Sequence, residues 1–195
     1  MKGDLELVQI VDTVMAEAAR RSGSWLACHR GCCQCCIGPF PINALDAIRL
    51  REGLAVLAAR DPDRADRVAK RAGASATRLH RQFPGDTAAQ VLEIEGAADD
   101  EPCPALDPDS GSCDLYEARP ITCRTFGPAV RFPFESKEHN VGVCELCYQG
   151  ATDEQIAACE VEIDTRCENE LLDVLKKSEG VRGETLVAFA LAEAS

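Results

Sequence analysis

The stretch CHRGCCQCC, residues 28–36, places five of the chain's 12 cysteines within nine residues. Packing in a hydrophobic core does not require that density, and thiols so close together either bind a metal or oxidise readily. Five further cysteines follow, three at ten-residue steps and two in a C-x2-C pair: Cys103, Cys113, Cys123, Cys144 and Cys147. We therefore expect several loops to meet at one or two inorganic sites.

Helices are predicted on both sides of this run, so the run itself is predicted to be an irregular loop. A helix over residues 4–22, with Asp4 as its N-cap, has one apolar face formed by Leu7, Val8, Val11, Val14, Met15 and Ala18. A second helix is predicted to begin at Asn43, with Asp46 in a capping-box position. Asp61 followed by Pro62 predicts the start of a third helix, which ends before Pro84.

The second half of the chain is predicted to be loop first and helix afterwards. The turn sequence DPDSGS, residues 107–112, lies between Cys103 and Cys113 and predicts a small β-hairpin that brings their thiols together. A short helix is predicted over 87–94 and a last one over 186–191. Between them, the capping box of Thr152 and Gln155 predicts one long helix that runs through Val174.

These elements predict a mainly α fold, in which helices pack around irregular cysteine-rich metal-binding loops with one small β-hairpin. The chain is long enough for one domain with its own hydrophobic core. We predict a single domain over 1–195, with an N-terminal helix at 4–22, a metal-binding core at about 24–150 and C-terminal helices at 152–193.

Charge and composition exclude several classes of partner. The 33 acidic and 21 basic residues give a net charge of −12, which repels nucleic acid and anionic lipid, so neither nucleic acid nor a membrane is an expected partner. Asp4, Glu6, Gln9 and Asp12 interrupt any apolar segment of a secretory signal. We expect a cytoplasmic protein whose cysteines are thiolates or metal ligands.

Zinc and iron–sulfur clusters both take thiolate ligands, usually four to a centre. Adjacent residues such as Cys35 and Cys36 point to opposite faces of an extended chain, so one of each adjacent pair serves a second centre, bridges two metals or packs.

Cys159 and Cys167 are interpreted as core residues on the apolar face of the long helix, and His29 is a modest ligand candidate. Arg30, Arg119 and Arg124 either stabilise the thiolates or bind loop carbonyls and nearby acids.

Two motifs together resemble the YkgJ-type cysteine-cluster family, known by the pattern CxxCxxCC and described as zinc- or iron-chelating domains. The first is C-x3-C-x2-C-C, formed by Cys28, Cys32, Cys35 and Cys36. The second is PCPALDPDSGSCDLYEARPITCR, residues 102–124. The resemblance covers roughly residues 28–126. One residue is added between the first two cysteines and Cys33 is an extra thiol, so Cys32 and Cys33 compete for one ligand position.

The resemblance implies a metal-binding domain, and a similar cluster in flagellin lysine N-methylases is associated with a four-iron centre and methyl transfer. That makes an iron–sulfur centre as plausible as zinc, and we favour a cluster of the [4Fe–4S] type because the ligands come from dispersed loops and outnumber those of a closed four-thiolate zinc site. The alternatives are a cluster-dependent methyltransferase-like enzyme, a non-enzymatic zinc or iron chelator, or a redox-responsive partner of another protein. Spacing and resemblance together predict nine metal ligands: Cys28, Cys32, Cys35, Cys36, Cys103, Cys113, Cys123, Cys144 and Cys147.

Overall fold

The protein is described by a computed structural model that covers residues 2–83, 98–131, 141–178 and 183–193. Its helices are α1 (Lys2–Ser22), α2 (Ala44–Arg60), α3 (Pro62–Gln82), α4 (Ile121–Thr125), α5 (Asp153–Cys159), α6 (Arg166–Ser178) and α7 (Val187–Ala192). Its strands each have two residues: β1 (Pro41–Ile42), β2 (Leu106–Asp107), β3 (Ser112–Cys113), β4 (Val130–Arg131), β5 (Val141–Gly142), β6 (Val161–Glu162) and β7 (Thr185–Leu186). The mainly α fold and the hairpin β2–β3 confirm the prediction.

The chain forms two compact units, which we describe one at a time. Unit 1 combines residues 1–29 with 121–179, and unit 2 combines residues 30–120 with 180–195. The boundary at residue 29 falls inside the run CHRGCCQCC, immediately after its first cysteine and His29. The single domain predicted over the whole chain stays a prediction.

Unit 1 is built on the apolar face of α1. Leu7, Val11, Met15 and Ala18 are buried at helical spacing, as the sequence predicts, and α1 packs against α4, α5, α6 and β6. Beside it lies a three-stranded sheet in the order β5–β4–β6, antiparallel between β5 and β4 and parallel between β4 and β6. The helix begins at Lys2, so Asp4 lies in its first turn and is not the N-cap that was predicted.

Unit 2 is a three-helix core that carries the cysteine loops on it. Helices α2, α3 and α7 pack on one another through small and aliphatic side chains that include Leu50, Val68 and Ala190. The predicted caps are confirmed, because the Asn43 side chain accepts a hydrogen bond from the Asp46 N–H and the Asp61 side chain accepts one from the Arg64 N–H. Strand β1 pairs with β7, and the hairpin β2–β3 packs on the core through Ala105 and Leu115.

The prediction of one long helix after Thr152 is wrong. The capping box of Thr152 and Gln155 is present, but α5 ends at Cys159 and α6 begins at Arg166. Between them, Val161 and Ile163 are buried and Glu162 is exposed, which is the alternation of a strand, and β6 pairs with β4. Tertiary pairing of a β-branched segment thus outweighs the helical pattern of the flanking residues.

Other predictions of helices have different outcomes. The last helix is confirmed as α7. The helix predicted over 87–94 lies outside the described residues. Across the described part of the chain, no helix has both the length and the apolar character needed to cross a membrane.

Candidate metal centre

The structure divides the cysteines between the two units. Unit 2 contains Cys32, Cys33, Cys35, Cys36, Cys103 and Cys113, and unit 1 contains Cys28, Cys123, Cys144, Cys147, Cys159 and Cys167. The run CHRGCCQCC therefore contributes four thiols to one unit and one thiol to the other. Two groups of sulfur atoms result, and each is built from segments that are distant in sequence.

In unit 2, backbone hydrogen bonds join the first cysteine segment to the second. The Cys103 N–H donates to the Cys36 carbonyl at 2.7 Å, and the Gly38 N–H donates to the Glu101 carbonyl at 2.9 Å. Within the hairpin, Cys113 pairs with Leu106, whose N–H donates to the Cys103 carbonyl. Main-chain hydrogen bonds therefore hold the segment of Cys36 beside that of Cys103, and Cys123 belongs to the other unit.

The thiols of this group are close enough to change one another's acidity. The Cys36 thiol donates a hydrogen bond to the Cys35 sulfur, which lowers the pKa of Cys35 to about 6 and raises the pKa of Cys36. Burial and then the charge of Cys113 raise the pKa of the Cys103 thiol to about 12. Burial likewise raises the pKa of Cys113. Several negative charges cannot coexist here without a cation, and a bound metal supplies one. We call Cys35, Cys36, Cys103 and Cys113 the unit 2 thiols.

Cys35 and Cys36 do not point to opposite faces as they would in an extended chain. Residues Gln34–Cys36 form a 3-10 turn, in which the Cys36 N–H donates to the Cys33 carbonyl at 2.8 Å. The tight turn brings the two neighbouring thiols within hydrogen-bond distance of each other. Both can therefore belong to one centre. Cys32 and Cys33 are half-buried just before the turn, and the choice between them stays a prediction.

One of the arginines singled out from the sequence, Arg119, lies near the unit 2 thiols. The positive charge of Arg119 is a secondary cause of the lowered pKa of Cys35, and its guanidinium lies 3.8 Å from the centre of the Tyr116 ring. Arg119 also donates a hydrogen bond to the Tyr116 carbonyl. Arg119 therefore has both of the roles considered from the sequence: its charge favours the thiolate of Cys35, and its side chain binds a loop carbonyl.

Three arginines that the sequence analysis missed hold the loop that carries Cys103 and Cys113. Arg64, Arg71 and Arg78 occur at seven-residue spacing on one face of α3. Arg64 and Arg71 both bind the buried carboxylate of Asp114, next to Cys113, and Arg78 binds Glu101 at 2.6 Å, two residues before Cys103. Arg71 also donates to the Pro104 carbonyl at 2.8 Å. Their seven-residue spacing is the feature of the sequence that could have predicted this shared face. We call them the α3 arginines.

In unit 1, Cys28 meets the C-x2-C pair. The Cys28 Sγ lies 3.9 Å from the Cys147 Sγ, and the Cys144 thiol hydrogen-bonds to Cys147. The Cys147 N–H donates to the Cys144 carbonyl at 2.9 Å, which closes the turn. Cys144 and Cys147 are buried beside Trp25 and Leu26, whereas Cys28 is exposed. We call Cys28, Cys144 and Cys147 the unit 1 thiols.

The other residues singled out from the sequence have mixed outcomes. Cys123 is half-buried on α4. Its neighbour Arg124 forms an ion pair with Asp12, so it binds a nearby acid. Cys159 is a buried core residue, as predicted, and its thiol donates to the Arg21 carbonyl; Cys167 is half-buried on α6.

The chemistry of the donor set fits a thiophilic metal, but the sulfur atoms do not yet surround a common point. In the described residues, no three His, Cys, Asp or Glu side chains are arranged to hold a metal ion. A cysteine side chain can rotate between staggered positions, which changes the place of its sulfur without moving the backbone. The unit 2 thiols and unit 1 thiols are therefore two sets of potential ligands already gathered by the backbone.

Comparison with known proteins agrees with this chemistry. A family model named CxxCxxCC, described as "Putative zinc- or iron-chelating domain", matches residues 27–148. These 122 residues (148 − 27 + 1) are more than half of the 195-residue chain. The match starts one residue before Cys28 and ends one residue after Cys147. Searches of curated proteins and of solved structures each found no match.

Proposed function

The chain belongs to the CxxCxxCC family of zinc- or iron-chelating domains, and from this premise we propose that it is an iron–sulfur protein whose cysteine thiolates bind a [4Fe–4S] cluster. The observation that carries the proposal is that the backbone gathers Cys35, Cys36, Cys103 and Cys113 in unit 2, through the bond from the Cys103 N–H to the Cys36 carbonyl and the pairing of Leu106 with Cys113. Four thiolates are the usual ligand set of such a cluster. All nine cysteines named from the sequence remain proposed metal ligands, and the cluster takes its ligands from those of unit 2.

The adjacent pair Cys35 and Cys36 favours a cluster over a single zinc ion. On one ion, two neighbouring residues would have to aim both sulfurs at the same atom, whereas a cluster offers separate iron atoms. Unit 2 also contains Cys32 and Cys33, so six thiols stand where a closed zinc site uses four. Beyond the unit 2 thiols this leaves two, Cys32 and Cys33, which are alternatives for one further ligand position.

The chain's own residues would prepare the site. The α3 arginines fix the backbone on both sides of Cys103 and Cys113, and Arg119 brings positive charge to Cys35. Positive charge near the site offsets the negative charge that four thiolates bring. A bound cluster would supply one-electron redox chemistry, with a potential set by hydrogen bonds and exposure. A cytoplasmic setting, with no nucleic acid as partner, suits both the thiols and the net charge of −12.

The test is anaerobic purification of the full chain, followed by measurement of iron, zinc, acid-labile sulfide and visible absorption. The proposal expects about four iron and about four sulfide per chain, together with the broad visible absorption of a cysteine-bound [4Fe–4S] cluster. Protein that contains stoichiometric zinc and no sulfide would overturn the iron–sulfur assignment and leave a zinc-chelating domain. Folded protein without any metal would overturn both.

A further inference from the structure

We propose that Cys28, Cys144 and Cys147 bind a metal ion of their own in unit 1, a divalent thiophilic ion such as zinc, separate from the centre of the unit 2 thiols. The inference rests on the proposed function only in that both use cysteine thiolates. It assigns a second, separate centre and its ligand set, neither of which the family description gives.

The first observation is the sulfur geometry. Zinc–thiolate bonds of about 2.3 Å in a tetrahedral site place neighbouring sulfurs about 3.8 Å apart. The Cys28 and Cys147 sulfurs are 3.9 Å apart, although the residues are separated by 119 positions in the chain. Cys144 joins them through its hydrogen bond to Cys147. Two ligands therefore already lie at the edge length of a tetrahedral site, and the third is in contact with one of them.

The second observation is a glycine that makes room for the Cys28 sulfur. A Cβ added to Gly127 would lie 2.7 Å from the Cys28 Sγ, and the backbone of Gly127 has a φ of +117°. The Gly127 carbonyl accepts a hydrogen bond from the Cys144 N–H at 3.3 Å. This one residue thus contacts two of the three thiol segments, and only glycine satisfies both the space and the backbone conformation.

The third observation is the way the C-x2-C turn is held against α1 and the segment after it. The Tyr148 N–H donates to the Trp25 carbonyl at 2.9 Å, three residues before Cys28. The buried Tyr148 hydroxyl accepts from the Ala129 N–H and shares a hydrogen bond with the Ser22 hydroxyl. Tyr148 itself has a φ of 56°, an unusual conformation for a residue with a side chain. These bonds fix the distance between Cys28 and the pair.

The surroundings suit a metal ion that enters from solvent and is shielded on its other side. Cys144 and Cys147 are buried in an apolar cluster that includes Ala129 and Tyr148, with Trp25 packed against it. Cys28 is exposed and gives the ion a path in. Cys123, half-buried on α4 in the same unit, is the candidate for the fourth ligand position, because Cys159 already donates to the Arg21 carbonyl.

The experiment compares metal content in the anaerobically purified full chain and its variants. Cys28→Ser and Cys147→Ser each remove a unit 1 thiol, and Cys103→Ser removes a unit 2 thiol. Cys159→Ser is the matched control, since it removes a buried thiol of the same apolar cluster that is not a proposed ligand. Iron, zinc and sulfide are measured per chain. Metal-free protein is then titrated with Co²⁺, whose bonds to thiolate give an intense near-ultraviolet absorption.

We expect about one equivalent of zinc in the wild-type protein. Cys28→Ser and Cys147→Ser should lose that zinc and the cobalt absorption of unit 1, and keep iron and sulfide. Cys103→Ser should lose iron and sulfide and keep the zinc, and Cys159→Ser should keep iron, sulfide and zinc. Cys123→Ser should weaken zinc binding if Cys123 is the fourth ligand, and unchanged binding would leave three thiolates and a solvent ligand.

Several results would overturn the inference. One is a wild-type protein without the additional equivalent of zinc or cobalt. Another is loss of sulfide in Cys28→Ser, which would make Cys28 a ligand of the unit 2 centre. Cys28→Ser replaces sulfur by oxygen in an exposed residue beside Gly127, and Gly127→Ala offers a second variant that keeps all 12 cysteines. Gly127→Ala should also lose the unit 1 metal, and retention of it would contradict the geometry.

The failure of the iron–sulfur proposal gives a different result. Sulfide would then be absent from the wild-type protein, while the zinc equivalent lost in Cys28→Ser and retained in Cys103→Ser would still report a separate unit 1 centre. A disulfide between Cys28 and Cys147 in freshly purified protein, with no metal bound after reduction, would instead identify the pair as a redox pair and overturn the inference.

Discussion

Single residues decide how many thiols each centre can use. In unit 2 the 3-10 turn at Gln34–Cys36 lets adjacent cysteines share one centre, and in unit 1 a glycine lets a cysteine sulfur approach the backbone. Both effects come from local backbone conformation, and neither adds an interaction of large energy. The number of cysteines therefore says less about the centres than the conformation of the residues between them.

Cys35 and Cys33 should differ in their effect on metal content. Cys35→Ser should remove most of the bound metal of unit 2, because its sulfur accepts the Cys36 hydrogen bond and lies near the charge of Arg119. Cys33→Ser should retain the metal, since Cys32 then fills the contested ligand position. Iron and zinc analysis of both variants checks this. Equal loss in the two would show that Cys33 is a ligand as well.

Two helix glycines should respond in opposite ways to alanine. A Cβ at Gly53 of α2 would lie 2.3 Å from the Ala118 Cβ, and a Cβ at Gly73 of α3 would meet nothing within 4 Å. Gly73→Ala should therefore raise the free energy of unfolding by about 0.5–1 kcal/mol, the usual gain in a helix interior. Gly53→Ala should lower it by about 1–2 kcal/mol, because overpacking outweighs that gain.

Urea denaturation of the two alanine variants under identical reducing conditions gives both values. The pair serves as its own control, because the substitution is the same and both sites are helical. A stabilising effect of Gly53→Ala would show that α2 is not in close contact with the turn at Tyr116–Ala118.

Among the elements, α3 has the clearest supporting role. One part of its surface packs in the core of unit 2 through Val68 and Ala72, and the α3 arginines bind the loop that carries Cys103 and Cys113. The carboxylate of Asp114 is buried and forms ion pairs with Arg64 and Arg71, so loss of either arginine would leave a buried group with fewer partners. The helix therefore holds the loop of two proposed ligands, Cys103 and Cys113, without providing a ligand itself.

Arg71→Ala should destabilise unit 2 and weaken its metal binding. The variant loses the ion pair with Asp114 and the hydrogen bond to the Pro104 carbonyl, which we expect to lower the free energy of unfolding by about 1.5–3 kcal/mol. Arg67→Ala, at an exposed position of the same helix, is the control and should change it by less than about 0.5 kcal/mol. Urea denaturation of metal-free protein and competition with a chelator measure the two effects.

A result in which Arg71→Ala and Arg67→Ala behave alike would show that the loop keeps its position without α3. A loss of stability with unchanged metal affinity would separate the two roles, and it would limit the arginines to holding the fold.

The elements also show which features could be predicted from the sequence. The starts of α2 and α3 were predicted correctly because a helix cap depends on only a few neighbouring residues. The helix after Thr152 was wrong because residues 161–163 are drawn into a strand by β4, a partner about 30 positions away. The division of the run at residue 29 depends on long-range packing in the same way, and spacing alone could not reveal it.

At the scale of the whole molecule, each unit has an apolar core that does not depend on metal ligands alone. Unit 1 has the buried face of α1, and unit 2 has the packing of α2, α3 and α7. A chain of this size can bury enough apolar surface to fold without a metal. Metal binding then adds stability in proportion to the logarithm of the metal concentration over the dissociation constant.

Removal of metal under reducing conditions should therefore leave the helices in place. We expect the far-ultraviolet circular dichroism of the metal-free protein to keep most of its helical signal, while its melting temperature falls by several degrees. A thermal scan with and without chelator, with a thiol reductant in both samples, measures this. Collapse of the helical signal on chelation would show that the metal is required for folding, as it is in small zinc domains.

The contact between Gly127 and Cys28 has a consequence for evolution. Related chains that retain the C-x2-C pair at 144 and 147 should also retain glycine at position 127, because any side chain there would displace the Cys28 sulfur. In related chains without the pair, the Cys28 sulfur would no longer need this place, and position 127 could accept other residues. Co-variation of one glycine with two distant cysteines would then record the gain or loss of a metal ion in the history of the family.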